Sequence, residues 1–173
     1  MKKKFSIILI MSIAILALTA CTIKKPPKNL QIQGSGTFDE KTFTFQVTSS
    51  LPKNAKLDFM IKDQDSKKSV YETTLVTDEK GSVDKRIAFV VGKQNLESLI
   101  LFKPEKQTKD IQSIYGKYGQ NIRNNAFGYQ TGKKDHENYS FIKLYGTFIK
   151  YGSLLKGGDV IFDKKPLKIE VGG

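Results

Sequence analysis

The chain has 173 residues, a formal net charge of +12, one Cys, one His and no Trp. A single Cys excludes a disulfide framework within the chain and any Cys-based zinc cluster, and a single His excludes a multi-His metal site. The first twenty residues are unlike the rest. Removing them, with Lys2, Lys3 and Lys4, leaves 153 of 173 residues and 26 of 29 Lys+Arg against 17 Asp+Glu, a net charge of +9, and that length suits one domain.

The three lysines precede an apolar run from Phe5 to Leu18. At about 14 residues the run falls short of the roughly 20 that a membrane span needs, so residues 1–20 read as a secretory signal peptide. Leu18-Thr19-Ala20-Cys21 resembles the lipobox of bacterial lipoproteins. The resemblance implies a diacylglycerol thioether on Cys21, cleavage between Ala20 and Cys21, and often acylation of the new terminus. Two acyl chains at about 0.8 kcal/mol per buried methylene make a lasting attachment, so the body is expected as a domain tethered to the outer face of the cell membrane. Residues 21–29 then read as the acylated Cys and a stiff basic stalk. Pro26-Pro27 favours extended geometry, and Lys24, Lys25 and Lys28 would lie within a Debye length of anionic lipid headgroups.

From Leu30 to Gly173 a single domain with a period of two is expected. Phe43, Phe45 and Val47 alternate with Thr42, Thr44, Gln46 and Thr48, and Leu57, Phe59 and Ile61 repeat the pattern. Further strands are expected over Ser69–Thr77, Val83–Val91, Glu97–Lys103, Tyr139–Tyr151 and Val160–Val171, with Pro166 at an edge or bulge. Turn-forming residues separate them, and strands at this spacing indicate an all-β sandwich. One segment departs from it: Thr108 can cap a short helix over about 109–116 in which Ile111, Ile114 and Tyr115 share a face, crossing one end of the sandwich. Residues 121–138, polar and rich in Gly and Asn, read as a long loop. Gly34-Ser35-Gly36 reads as a turn or a strand irregularity, since no helix follows that could make it a nucleotide cradle.

Leu51-Pro52, the Asp78–Gly81 turn and the stretch Gly116-Lys117-Tyr118-Gly119-Gln120-Asn121-Ile122 together resemble a module of surface lipoproteins of Gram-positive bacteria. Gly157–Val160 onward resembles that module's closing strand. The resemblance covers most of residues 40–171 and implies an immunoglobulin-like antiparallel β-sandwich, with no catalytic residues to carry over. Asn124–Ser153 departs from the pattern in being longer and richer in Tyr.

Chemistry-bearing patterns are sparse. His136 lies in Asp135-His136-Glu137, where neighbouring residues of a polar loop point apart, and no second His or Cys completes a site. Asp63-x-Asp65 begins like a calcium loop, but Lys67 and Lys68 stand where an oxygen ligand and Gly are needed. No Gly-x-Ser-x-Gly occurs. No catalytic residue, metal or cofactor is therefore assigned, and the chain is expected not to be an enzyme.

The strongest pattern is compositional. Six of seven Tyr lie between Tyr115 and Tyr151, and residues 103–156 carry ten Lys+Arg against four acids. Such a mixture suits a binding surface. In Phe141–Tyr151 both faces carry bulky groups, so Lys143, Tyr145, Lys150 and Tyr151 are the candidate interface. At a cell surface the polyanions within reach are lipid headgroups and wall polymers, not nucleic acid. The expectation is a membrane-anchored, non-enzymatic binding or accessory module, bound to the bilayer through acylated Cys21. The alternative is an accessory or inhibitory partner of a membrane complex in secretion, conjugation or wall synthesis. A transporter-associated ligand-binding lipoprotein and a hydrolase rank below both.

Overall fold

The structure, a computed structural model, describes residues 25–89, 95–134, 136–150 and 157–167. The expected signal peptide, lipobox and Cys21, together with Tyr151 and the expected final strand beyond residue 167, lie outside the described residues.

Among the described residues nine strands form: β1 (Ile32–Asp39), β2 (Thr42–Ser49), β3 (Lys56–Asp63), β4 (Ser69–Val76), β5 (Val83–Ala88), β6 (Leu96–Phe102), β7 (Tyr129–Lys134), β8 (Glu137–Lys150) and β9 (Gly157–Asp163). One helix, α1 (Lys109–Tyr115), follows a 3-10 turn at Pro104–Lys106. The strands join in one antiparallel sheet in the order β4-β3-β6-β8-β9-β1-β2-β5, with β7 added on β8. The sheet is nearly closed: across the seam between the two end strands, Tyr71 of β4 and Phe89 just beyond β5 meet edge-on with ring centroids 6.5 Å apart.

Alternation in the sequence becomes burial. Phe43, Phe45 and Val47 of β2 and Leu57, Phe59 and Ile61 of β3 point inward and are fully buried or nearly so. β2 and β3 are not neighbours in the sheet, yet Phe45 and Phe59 stack at 4.2 Å with 13° between planes. Phe43 continues the cluster to Phe59 at 6.0 Å and to Phe148 at 5.6 Å, and Phe148 meets Phe38 at 5.5 Å. The rings thus bind β1, β2, β3 and β8 across the interior, where aromatic pairs add to the gain from buried area.

Gly34-Ser35-Gly36 is neither a turn nor an irregularity. It lies in the middle of β1, whose pairing with β2 runs without a register shift from Ile32 to Phe38. A Cβ at Gly34 would come within 2.8 Å of Ile100 and 2.9 Å of Phe162, and one at Gly36 within 2.6 Å of Phe43. The interior at these positions is filled from other strands, and glycine admits the close approach.

The expected loop over 121–138 is also corrected. Its second half is β7, paired with β8 from Tyr129–Ile142 to Lys134–Glu137. The strand is short and polar, and its anchors are local: the Tyr129 and Ser140 hydroxyls lie 2.8 Å apart, and the Tyr139 ring occupies the space beside Gly132.

α1 closes one end of the interior. Ile111 and Tyr115 are buried; the Tyr115 ring meets Phe102 edge-on at 5.4 Å, and its hydroxyl donates to the Ser50 carbonyl at 3.4 Å. Gly116 ends the helix with φ +82°. Before the helix, the buried Gln107 amide continues the ladder where β6 has left it: its Oε1 accepts from the Lys56 N–H at 2.8 Å and its Nε2 donates to the Lys56 carbonyl at 2.9 Å.

The same end holds the incoming chain. The Lys28 N–H donates to the Asn121 carbonyl at 2.6 Å and the Arg123 N–H to the Lys28 carbonyl at 3.0 Å, making a parallel bridge with Ile122. Lys25 Nζ reaches the Ser113 carbonyl at 2.8 Å and Arg123 Nε the Pro27 carbonyl at 3.3 Å. The expected stalk is therefore part of the domain from Lys25 onward. Among the described residues no helix is long and apolar enough to cross a membrane.

Phe59→Ala is expected to cost about 3–5 kcal/mol in chemical denaturation, because the ring is shared by several partners. Gln107→Ala is expected to cost about 1–3 kcal/mol by leaving the Lys56 amide groups without their partner.

Candidate functional site: a groove where β8 changes partners

β8 is 14 residues long, and no single neighbour spans it. One edge pairs with β6 from Ile142 to Thr147. The other edge pairs with β7 over Glu137–Ile142 and with β9 over Tyr145–Lys150. Between these two partners, at Lys143 and Leu144, the edge passes from one strand to the next. The Lys143 N–H there donates to the Gly128 carbonyl at 2.9 Å.

At this break lies an open groove of about 630 Å³. One wall is the turn 124–128, the other is the segment 164–166 that follows β9, and Gln130 and Tyr145 lie between them. The first wall is shaped by the Ala126 N–H donating to the Arg123 carbonyl at 3.1 Å, the Tyr129 N–H donating to the Ala126 carbonyl at 3.0 Å, and Gly128 at φ +76°. The second is tied back by the Leu167 N–H, which donates to Thr147 Oγ1 of β8 at 3.2 Å. Phe127 stands 43 % exposed on the first wall, beside exposed Asn124 and Asn125; Lys164 and Lys165 are exposed on the second.

Tyr145 is the best-defined polar group in the groove. Burial acts to raise its phenol, but hydrogen bonds with Gln130 and Lys143 and the Lys143 charge outweigh it and hold the group below its ordinary value of 10.0. The Lys143 ammonium lies 4.4 Å from the Tyr145 ring centroid. On the same outward face, Tyr139 and Phe141 stack at 5.4 Å. Leu99 and Leu101 of β6, opposite Tyr145 and Lys143 in the ladder, are buried on that face rather than in the main core. The site offers stacking surface, amide hydrogen bonding and positive charge.

The expected interface is therefore brought together in part. Lys143 and Tyr145 share the outward face and touch. Lys150 does not join them: it lies an odd number of positions beyond Lys143, which places it on the side of β8 that carries Ile142, Leu144 and Phe148, about 23 Å along the strand. Tyr151, Cys21, Leu18, Thr19 and Ala20 lie outside the described residues. His136 is exposed in the β7–β8 turn at φ +67°. The tyrosines divide: Tyr115 is buried, Tyr129 packs against the core, and Tyr139 and Tyr145 face outward. Among the described residues, no three His, Cys, Asp or Glu lie together as a metal-ligand set.

Phe127, Gln130, Lys164 and Lys165 were not singled out by sequence. An aromatic pair, Phe127 and Tyr129, inside an Asn- and Gly-rich polar stretch was the available signal for Phe127; the other three carried none. A scan of protein-family models gives no match, and searches of curated proteins and of solved structures give none either.

Lys143→Met is expected to raise the Tyr145 titration midpoint, read by near-UV absorbance, whereas Lys85→Met on β5 leaves it in place. Because its folded-state pKa lies below 10.0, Tyr145 adds stability that grows as pH climbs from that value to 10.0. Tyr115, raised by burial, has the opposite sign: its contribution is complete below 10.0 and is lost as pH rises further. Denaturation midpoints across the alkaline range in Tyr115→Phe and Tyr145→Phe are expected to separate the two.

Proposed function

We propose that the chain is a lipid-anchored extracytoplasmic lipoprotein that acts as a non-enzymatic binding module at the cell surface, with the β8 groove as its binding element. The sequence supports the anchor through Leu18-Thr19-Ala20-Cys21 behind a basic and apolar leader. The groove supports the binding role. The observation that carries it is the groove lining: the Tyr145 phenol, hydrogen-bonded to Gln130 and Lys143, shares one open site with the Gln130 amide, the exposed Phe127 ring and the Lys164 and Lys165 ammonium groups. These groups recognise anionic or hydroxyl-rich surfaces, such as lipid headgroups and wall polymers, through charge, stacking and hydrogen bonds.

The finer fold reading is an immunoglobulin-like sandwich. Its support is the strand order: β1-β2-β5 on one side and β4-β3-β6-β8 on the other, with Phe45 and Phe59 stacked between, corresponds to strands A-B-E and C′-C-F-G of that fold. β9 then bridges the two layers.

A second reading is an accessory or inhibitory partner of a membrane complex. The observation that favours it is the pair of end strands, β4 and β5, each with one edge unpaired among the described residues and so able to accept a partner's strand.

Mass spectrometry of protein from bacterial membranes is expected to show Cys21 as an acylated first residue, and Cys21→Ser is expected to leave the membrane fraction. A mature chain bearing an unmodified Cys21 would refute the anchor. Cross-linking in intact cells, followed by a high-salt wash, separates the two roles. Loss of all partners with salt favours the electrostatic surface module, and one protein retained stoichiometrically favours the accessory partner.

A further inference from the structure

The incoming chain and the groove lie at the same end of the sheet. The ladders place the start of β1, the end of β2, the start of β3 and the end of β6 together at this end, where α1 closes it. Residues 25–28 are bonded there to Ser113, Asn121 and Arg123, and the chain runs from Arg123 directly into the groove wall at 124–128. The second wall, 164–166, follows Asp163, whose ladder partner is Tyr145.

This end combines two properties that lipid interfaces select. Phe127 is 43 % exposed on the first wall of the groove. Lys164 and Lys165 line the groove with it, and Lys25, Lys28, Lys117 and Arg123 are exposed at the same end. Acids are present too: Asp78 and Glu79 in the β4–β5 turn, with Glu79 paired to Lys53 at 3.0 Å, and Glu105 and Asp110 next in sequence to Lys106 and Lys109. The opposite end also has an exposed apolar residue, Val70 at 43 % beside the 63–69 turn, and exposed Lys41, Lys67 and Lys68 next to Glu40 and Asp65; what sets the groove end apart is the docked incoming chain.

We propose that the groove end is the face the domain presents to its own membrane, with Phe127 entering the headgroup region and the cations of this end engaging anionic lipid phosphates. The inference rests on the lipoprotein reading. Lys25 lies four positions after Cys21, so an acylated Cys21 holds the docked Lys25 within about 14 Å of the lipid. The tether can therefore bring this end, and not the opposite one, onto the bilayer. Each cation close to an anionic surface adds about fivefold to the partition, and an inserted aromatic adds an apolar component that salt does not screen. The seat accordingly demands anionic lipid even though the anchor does not.

The test uses the full chain purified from bacterial membranes and reconstituted in vesicles of phosphatidylcholine alone or mixed with phosphatidylglycerol. An environment-sensitive fluorophore is attached to Asn125→Cys beside the groove or to Ser66→Cys at the opposite end, and quenched by nitroxide-bearing lipid. Quenching at 125 is expected to exceed that at 66 several-fold in the anionic vesicles and to fall to the level at 66 in phosphatidylcholine or in a Lys164→Glu, Lys165→Glu variant. Equal quenching at both positions in anionic vesicles, or equal quenching at 125 in both lipids, overturns the proposal while leaving the anchor intact. The parent chain supplies the separate check, since acylated Cys21 takes up no thiol reagent. Labelling of Cys21 removes the anchor and the seat together.

Discussion

The stack of Phe45 on Phe59 is the contact on which the rest of the structure depends. It joins strands that have no hydrogen bond to each other, so it holds the sheet's two halves face to face where the ladder cannot. Phe43, Phe148 and Phe38 extend the hold to β8 and β1. The interior beside β1 is already filled, at Gly36 by Phe43 and at Gly34 by Ile100 and Phe162, and this is why β1 carries glycine at two inward positions. Aromatic bulk and missing side chains are one packing solution distributed over several strands.

β8 turns that packed body into one with a site. It is longer than any neighbour, so it must change partners along its edge, and each change leaves a place where the surface is not completed by a strand. The break between β7 and β9 is widened by Gly128 at positive φ and bordered by a returning segment tied to Thr147. The polar groups gathered there follow from strand parity: Lys143 and Tyr145 point outward because Ile142 and Leu144 point in.

Legibility in the sequence followed the same physics. β2 and β3 were readable because their inward residues are large and their outward ones polar, and α1 because Thr108, the Ile111–Tyr115 face and Gly116 mark its start, side and stop. β1 was hidden because two of its inward positions have no side chain, and β7 because its stability comes from β8 and not from apolar residues of its own. The groove was half legible. Tyr145, with Lys143 beside it on the same strand, was within reach, but the walls come from segments about forty residues apart in the chain that only the partner change on β8 brings together. Lys150 was misplaced by treating neighbours in sequence as neighbours in space. The docking of residues 25–28 uses mainly backbone groups, which composition does not reveal.

That docking also sets how the domain bears load. A pull on Lys25 enters first through the short bridge between Lys28 and Ile122, held by two backbone hydrogen bonds. Behind it lies β1, flanked by β2 on one edge and β9 on the other, with the pull running along the strand axis. Bonds on both edges are then strained together and not opened one after another. The bridge is thus a yielding link in front of a shear-resistant strand: tension peels a few residues free and lengthens the reach of the domain before it threatens the phenylalanine core.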